Sequence, residues 1–300
     1  MNTHPLSGVY AAAVTPLLPN GEIDHEGLFP LLEFLESRGC HGALIFGTTG
    51  EGPSFSEADR IALMQTAVKY KLSHPNFRLL AGTGTPSLSE SIALTKSGFD
   101  LGFDGVVTLP PYYFRKATDD GLFNYFSALI KAAVPADKYM LGYHIPGMAG
   151  VGFSIELLKR LKDAFPKQFA GIKDSSHDEA LISQLGNTFG ADLLILNGTD
   201  SYLQNAMNAH AGGCITAPAN LISPELRQLY NAYLAGEDTN ALQERITHLR
   251  HVLEKYQPFP PILKALLAKM HNLPRWSVHP PLEDVKDEVV EMAMEEMSNE

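Results

Sequence analysis

Cysteine is scarce, with only Cys40 and Cys214 in 300 residues. One pair makes no disulfide framework, and without a Cys-x-x-Cys motif or a tight Cys/His cluster the sequence offers no metal centre. A reduced, cytoplasmic compartment is expected, in which the sequon Asn197-Gly198-Thr199 goes unmodified. Long apolar runs are also missing. None approaches the roughly 20 residues that span a bilayer, and Met1-Asn2-Thr3-His4-Pro5 has neither the basic region nor the apolar core of a signal peptide. No membrane partner is expected. Positive charge is short as well: 23 Lys and Arg face 34 Asp and Glu, a formal charge of −11. That speaks against a nucleic-acid partner, which needs a basic footprint along the phosphates. A small anionic substrate remains open, because local dipoles and one lysine can hold a carboxylate inside a negative protein.

What is present is a core. A hydrophobic fraction of 45% with 19% charged residues fits a globular chain and excludes disorder. The length admits two ordinary domains or one large barrel with an appendage. Short β-rich runs recur near residues 8–17, 42–47, 78–84, 104–111, 139–146, 169–175, 193–199 and 213–220. Amphipathic stretches alternate with them at 27–37, 56–71, 87–98, 119–133, 155–165, 177–189 and 200–210. Ser56 before Glu57 and Asp59, and Ser154 before Glu156, read as helix caps. Eight strands alternating with helices predict parallel pairing and closure as an α/β, (β/α)8 TIM barrel, with an open doubly wound sheet as the alternative. The barrel is expected over 1–222. From 223 to 300 the strand signal stops, and helices broken by Pro258, Pro260-Pro261, Pro274 and Pro280-Pro281 predict a C-terminal helical extension. Its acidic last segment carries Val285, Val289, Met292 and Val290, Met294, Met297 at helical spacings, which reads as an amphipathic helix packed on the protein or on a neighbouring subunit.

Chemistry in such a barrel sits at the C-terminal ends of the strands. Lys173 follows Phe169-Ala170-Gly171-Ile172 in a strand expected to be buried. An apolar environment disfavours the charged form of a lysine and frees the amine to attack a ketone. The alternative is a strand-end lysine that snorkels to solvent or pairs with Asp174 or Glu51. Tyr143 can move protons at a reacting carbon, or it can be a core tyrosine bonded to backbone. Thr48 and Thr49 lie between glycines in Gly47-Thr48-Thr49-Gly50-Glu51-Gly52. They can offer hydroxyls and N–H groups to a carboxylate, or simply form a tight turn. That run is neither a phosphate loop nor a dinucleotide fingerprint, and no Gly-x-Ser-x-Gly elbow is present.

Taken together, Gly47-Thr48-Thr49-Gly50-Glu51, Pro111-Tyr112-Tyr113, Tyr143-His144-Ile145-Pro146 with Gly150, Gly171-Ile172-Lys173-Asp174, Asn197-Gly198-Thr199-Asp200 and the 213–220 segment closely resemble the dihydrodipicolinate synthase and N-acetylneuraminate lyase family of pyruvate-dependent class I aldolases. The resemblance runs from about Gly8 to the C-terminal helices in order and spacing. It implies a barrel with a helical extension, usually a homotetramer, that works without metal or organic cofactor. Carried onto this chain, Lys173 forms the Schiff base with pyruvate or a 2-keto acid and Tyr143 transfers protons. Thr48 and Tyr113 form the relay to solvent, Tyr113 coming from the neighbouring subunit. Thr48 and Thr49 hold the carboxylate, and Gly198 and Ile215 line the pocket.

Two departures bear on the second substrate. Where the synthases of the family place a carboxylate-binding arginine, this chain has Met148, whose thioether makes no bidentate contact. His144 stands where many members have asparagine. The motifs resemble more nearly the 2-keto-3-deoxy sugar-acid aldolases, and the resemblance implies that Ser175 and Asp200 hydrogen-bond the hydroxyls of a polyol chain, as matching positions do in the sialic acid lyases. Both residues have a structural alternative, Ser175 satisfying backbone and Asp200 capping a helix. The resemblance thus implies a lyase that makes or cleaves a carbon–carbon bond between pyruvate and a sugar-derived aldehyde. The alternatives are 4-hydroxy-tetrahydrodipicolinate synthase proper, a keto-deoxy acid dehydratase, and a catalytically silent keto-acid binder.

Overall fold

The computed structural model describes residues 3–299. Eight strands, β1 (Gly8–Ala12), β2 (Gly42–Ile45), β3 (Arg78–Gly82), β4 (Gly105–Thr108), β5 (Tyr139–His144), β6 (Phe169–Asp174), β7 (Leu194–Asn197) and β8 (Gly213–Thr216), close in sequence order into one parallel barrel. Helices α1 (Leu28–Ser37), α2 (Glu57–Ser73), α3 (Leu88–Leu101), α4 (Asp119–Ala133), α5 (Pro146–Ala149), α6 (Ile155–Ala164), α7 (Glu179–Phe189) and α8 (Leu203–Asn208) connect them. Beyond the last strand come α9 (Ala219–Ala235), α10 (Asn240–Glu254), α11 (Phe259–His271) and α12 (Asp287–Ser298). The predicted (β/α)8 fold with a helical C-terminal extension is the fold observed.

The strands read as apolar runs because both of their faces are buried. Alternate residues divide between two layers: Tyr10, Ala12, Leu44, Leu80 and Val107 fill the barrel, whereas Val9, Ala11, Ala43, Leu79 and Val106 pack under the helices. Helix starts result from hydroxyl caps. Ser56 accepts from the Asp59 N–H and Ser154 from that of Leu157, as their sequence context predicts, and Ser87 and Thr118 do the same for α3 and α4. Both cysteines are buried and free. Asn197 is buried with its amide donating to the Thr199 carbonyl, 2.9 Å. Among the described residues no helix is long and apolar enough to cross a membrane.

The structure departs from the sequence pattern in three places near the barrel mouth and its extension. The strands stop short of the predicted spans, β1 at Ala12 and β2 at Ile45, because the residues beyond them turn into loops at the mouth. The expected boundary at 222/223 falls inside α9, at a kink where Ile222 is non-helical, with Pro224 just beyond. The helix packs on β1 and β8, so the last helix of the barrel begins before that boundary and ends beyond it. The predicted helix over 200–210 divides into a 3-10 turn, Asp200–Tyr202, and α8. In α12 the buried face is Val290, Ala293 and Met297, while Met292 on the other stripe is exposed.

Candidate active site

The C-terminal strand ends open on a cavity of about 330 Å³. Lys173, from β6, is buried to 3% exposure, and its Nζ lies 4.2 Å from the centre of the Tyr143 ring. The two residues are register partners across β5 and β6, so the parallel ladder itself sets the amine beside the phenol. The Tyr143 hydroxyl is 3.2 Å from Thr48 Oγ1. Burial pushes the Tyr143 phenol up; the Lys173 charge and hydrogen bonds with Thr48, Lys173 and Ser175 pull it down further, leaving it below its ordinary value. Lys173 does not pair with Glu51, whose carboxylate is taken by Lys264 at 2.6 Å.

The loop after β2 that presents Thr48 and Thr49 is held in an uncommon shape. Phe46 and Glu51, at its two ends, both have left-handed backbone, φ 58° and 55°, a conformation that persists where surroundings over-determine it. Those surroundings are visible. Thr15 Oγ1 donates to the Gly50 carbonyl at 2.7 Å, and Glu51 receives Lys264 Nζ and, at 2.8 Å, the His279 N–H. On the other side Ser175 donates its N–H to the His144 carbonyl and Gly198 to that of Asp174. A Cβ on Gly198 would meet Ser175 Oγ at 2.0 Å, so only glycine lets the ends of β6 and β7 approach this closely.

Of the residues singled out from sequence, Lys173, Tyr143, Thr48, Thr49, Ser175, Gly198 and Ile215 all line the cavity. Tyr113 does not. It is 76% exposed, packed edge-to-face on Phe114 at 5.3 Å, on the loop after β4. Asp200 does not line it either. Its carboxylate is fully buried, receives Arg250 Nη1 at 2.9 Å, and caps no helix, and Arg250 in turn lines the cavity. His144 is also outside the cavity lining. Its Nδ1 accepts the Phe153 N–H at 2.9 Å, and burial holds its imidazole below the usual range.

Sequence patterning missed a whole wall. Arg250, Gln257, Pro258, Phe259, Pro260 and Leu282 come from the C-terminal extension, Gly147 from α5 and His177 from the turn before α7; Ile145 and Met148, both named from the sequence, line the cavity beside them. The signal that could have found Arg250 is its place on a buried stripe with Ile246, Leu249 and Leu253, spacings that put an arginine on the apolar face of α10. Among the described residues no three His, Cys, Asp or Glu side chains gather to hold a metal ion.

The same fold recurs in known proteins. The model of the dihydrodipicolinate synthetase family matches residues 5–299. An uncharacterised DapA-like lyase of Chloroflexus aurantiacus is 34% identical over 284 residues, covering 94% of this chain and 93% of its own. A 4-hydroxy-tetrahydrodipicolinate synthase of Prochlorococcus marinus is 31% identical over 272 residues, 90% of this chain and 85% of its own. The crystal structure of the dihydrodipicolinate synthase DapA-2 of Bacillus anthracis superposes with a TM-score of 0.89 at 26% identity, over 100% of this chain and 99% of that one. The chain belongs to the dihydrodipicolinate synthetase family and, with it, to the class I pyruvate-dependent lyases and synthases.

Proposed function

We propose that the protein is a Schiff-base aldolase that cleaves a 2-keto-3-deoxy sugar acid into pyruvate and a neutral sugar-derived aldehyde, or joins the two. The observation that carries this is the Lys173 amine beside the Tyr143 ring, with the Tyr143 hydroxyl bonded to Thr48 in a cavity large enough for more than pyruvate. The Lys173 amine adds to the ketone carbon and water leaves, giving an iminium. Tyr143 takes the proton of the C4 hydroxyl as the C3–C4 bond breaks, and the bonding pair moves into the iminium as an enamine. The aldehyde departs, C3 is protonated, and water returns pyruvate and the free amine. The phenol is suited to this shuttle because it already sits below its ordinary value. The Thr48 hydroxyl passes the proton on, and Thr48 and Thr49 hold the pyruvate carboxylate. The covalent imine is the electron sink, so the proposal assigns no metal or organic cofactor.

Tyr113, exposed at the rim, completes the relay in a neighbouring copy, and the proposed assembly is a homotetramer built as a dimer of dimers. A second reading, 4-hydroxy-tetrahydrodipicolinate synthase, is favoured by the names of the relatives; against it, Met148 supplies no cation for the carboxylate of an aldehyde substrate. Pyruvate release from 2-keto-3-deoxygluconate, followed with lactate dehydrogenase, tests the proposal. Release that is lost in Lys173→Ala supports it. Turnover of pyruvate with aspartate semialdehyde, and none of the sugar acid, overturns it in favour of the synthase.

A further inference from the structure

The wall that the C-terminal extension gives the cavity contains an arginine whose charge is already spent. Arg250 is 3% exposed and lines the cavity, yet Nη1 donates to the fully buried Asp200 at 2.9 Å and Nε to Glu254 at 2.7 Å. Two carboxylates against one guanidinium leave the cluster formally negative. Among the described residues none bonds Nη2. The guanidinium is further fixed over the Phe259 ring, 5.2 Å from its centre. Among the described residues no other lining side chain supplies a free cation. Lys173 is consumed in the imine, Met148 is a thioether, and burial together with Arg250 holds the His177 imidazole below its usual range.

Resting on the Schiff-base reading, we propose that Arg250, held by Asp200 and Glu254, is a specificity residue for the second substrate. Nη2 donates to a hydroxyl oxygen of an uncharged polyhydroxy aldehyde, and the cluster rejects a phosphate or carboxylate at that end. A neutral hydroxyl accepts a hydrogen bond at no electrostatic cost. An anion at the same place meets a net negative cluster in a partly desolvated site, where unlike charges are already paired off and like charges repel.

The test compares D-glyceraldehyde with D-glyceraldehyde 3-phosphate as partners of pyruvate, in the parent and in Glu254→Gln. Glu254 is 30% exposed and the amide is isosteric, so folding is not at stake, whereas Asp200 is fully buried and its variants would take from the buried guanidinium its Nη1 partner. The parent is expected to favour the neutral aldehyde by about tenfold or more in kcat/KM, and the variant, with one compensating charge gone, to narrow that ratio by about tenfold, less at high salt. Arg250→Met is expected to raise KM for glyceraldehyde while borohydride still traps pyruvate on Lys173. A parent that prefers the phosphorylated aldehyde, or a ratio unmoved by Glu254→Gln, overturns the assignment of Arg250. Absence of any trapped pyruvate in the parent overturns instead the Schiff-base reading beneath it.

Discussion

His41 accepts the Val9 N–H at Nδ1, 2.9 Å, and burial, with Arg227 and Arg78 nearby, pulls its imidazole down to about 4. His4 is held down to about 4 by burial as well, with Lys162 and Arg78 adding to it, and its Nδ1 accepts the Leu6 N–H. Both therefore fold as neutral rings, while in the unfolded chain they titrate near 6.5. Between about pH 6.5 and 4 the unfolded state binds more protons, so this contribution to stability is present above 6.5 and is lost as pH falls through that window. The urea midpoint is expected to drop across it, with a shallower slope in His41→Asn, whose amide oxygen keeps an acceptor for Val9 without a titrating group. An unchanged slope in the variant would show that His41 does not couple folding to protons. At this scale Lys173 was legible in the sequence because a lysine stands out in an apolar strand. Arg250 was not, and Asp200 was singled out without its partner, since an arginine on a helix is solvated by default and their pairing joins residues 50 positions apart.

The loop after β2 and helix α11 are coupled by one buried pair. Lys264, inside the apolar run Ile262–Leu267, reaches Glu51 at 2.6 Å and the Ser277 carbonyl at 2.6 Å, both charged side chains being 1% exposed. Burial pulls the Lys264 ammonium below its ordinary range against the attraction of Glu51. Removing one partner strands the other, at a cost of about 3–5 kcal/mol. Lys264→Met is expected to lose that much in denaturant unfolding. The double variant Lys264→Met with Glu51→Gln is expected to regain part of it, while binding pyruvate more weakly because Thr48 and Thr49 are no longer fixed. Equal stability of Lys264→Met and parent would contradict the coupling. Elements were well read where local chemistry decides them, as at the Ser56 and Ser154 caps. They were overrun at strand ends, where Gly-Thr and Pro-Pro runs keep a β-like composition while the backbone turns into the mouth, and α5 was missed in the gap between the predicted fifth strand, which ended at 146, and the amphipathic stretch at 155–165.

For the whole molecule, eight β-rich runs separated by amphipathic stretches made the barrel legible, because parallel strands need crossovers and eight is a count that closes. The covering of the barrel mouth by the C-terminal extension was not legible, since Lys264–Glu51 and Arg250–Asp200 are contacts between distant segments that leave no local pattern. The exposed Tyr113, outside the cavity of its own chain, carries an expectation about assembly: specific activity should fall on dilution below the assembly threshold, in step with the loss of oligomer by light scattering, and Tyr113→Phe should impair the concentrated enzyme. Full activity in isolated monomers would remove Tyr113 from the relay. The central claim, an imine on Lys173, is tested most directly by intact-mass spectrometry after borohydride reduction with pyruvate present, with peptide mapping of the product. One reduced pyruvate per chain is expected, on Lys173, absent in Lys173→Ala; folded protein at neutral pH that gains no mass, or gains it on another lysine, would contradict the imine.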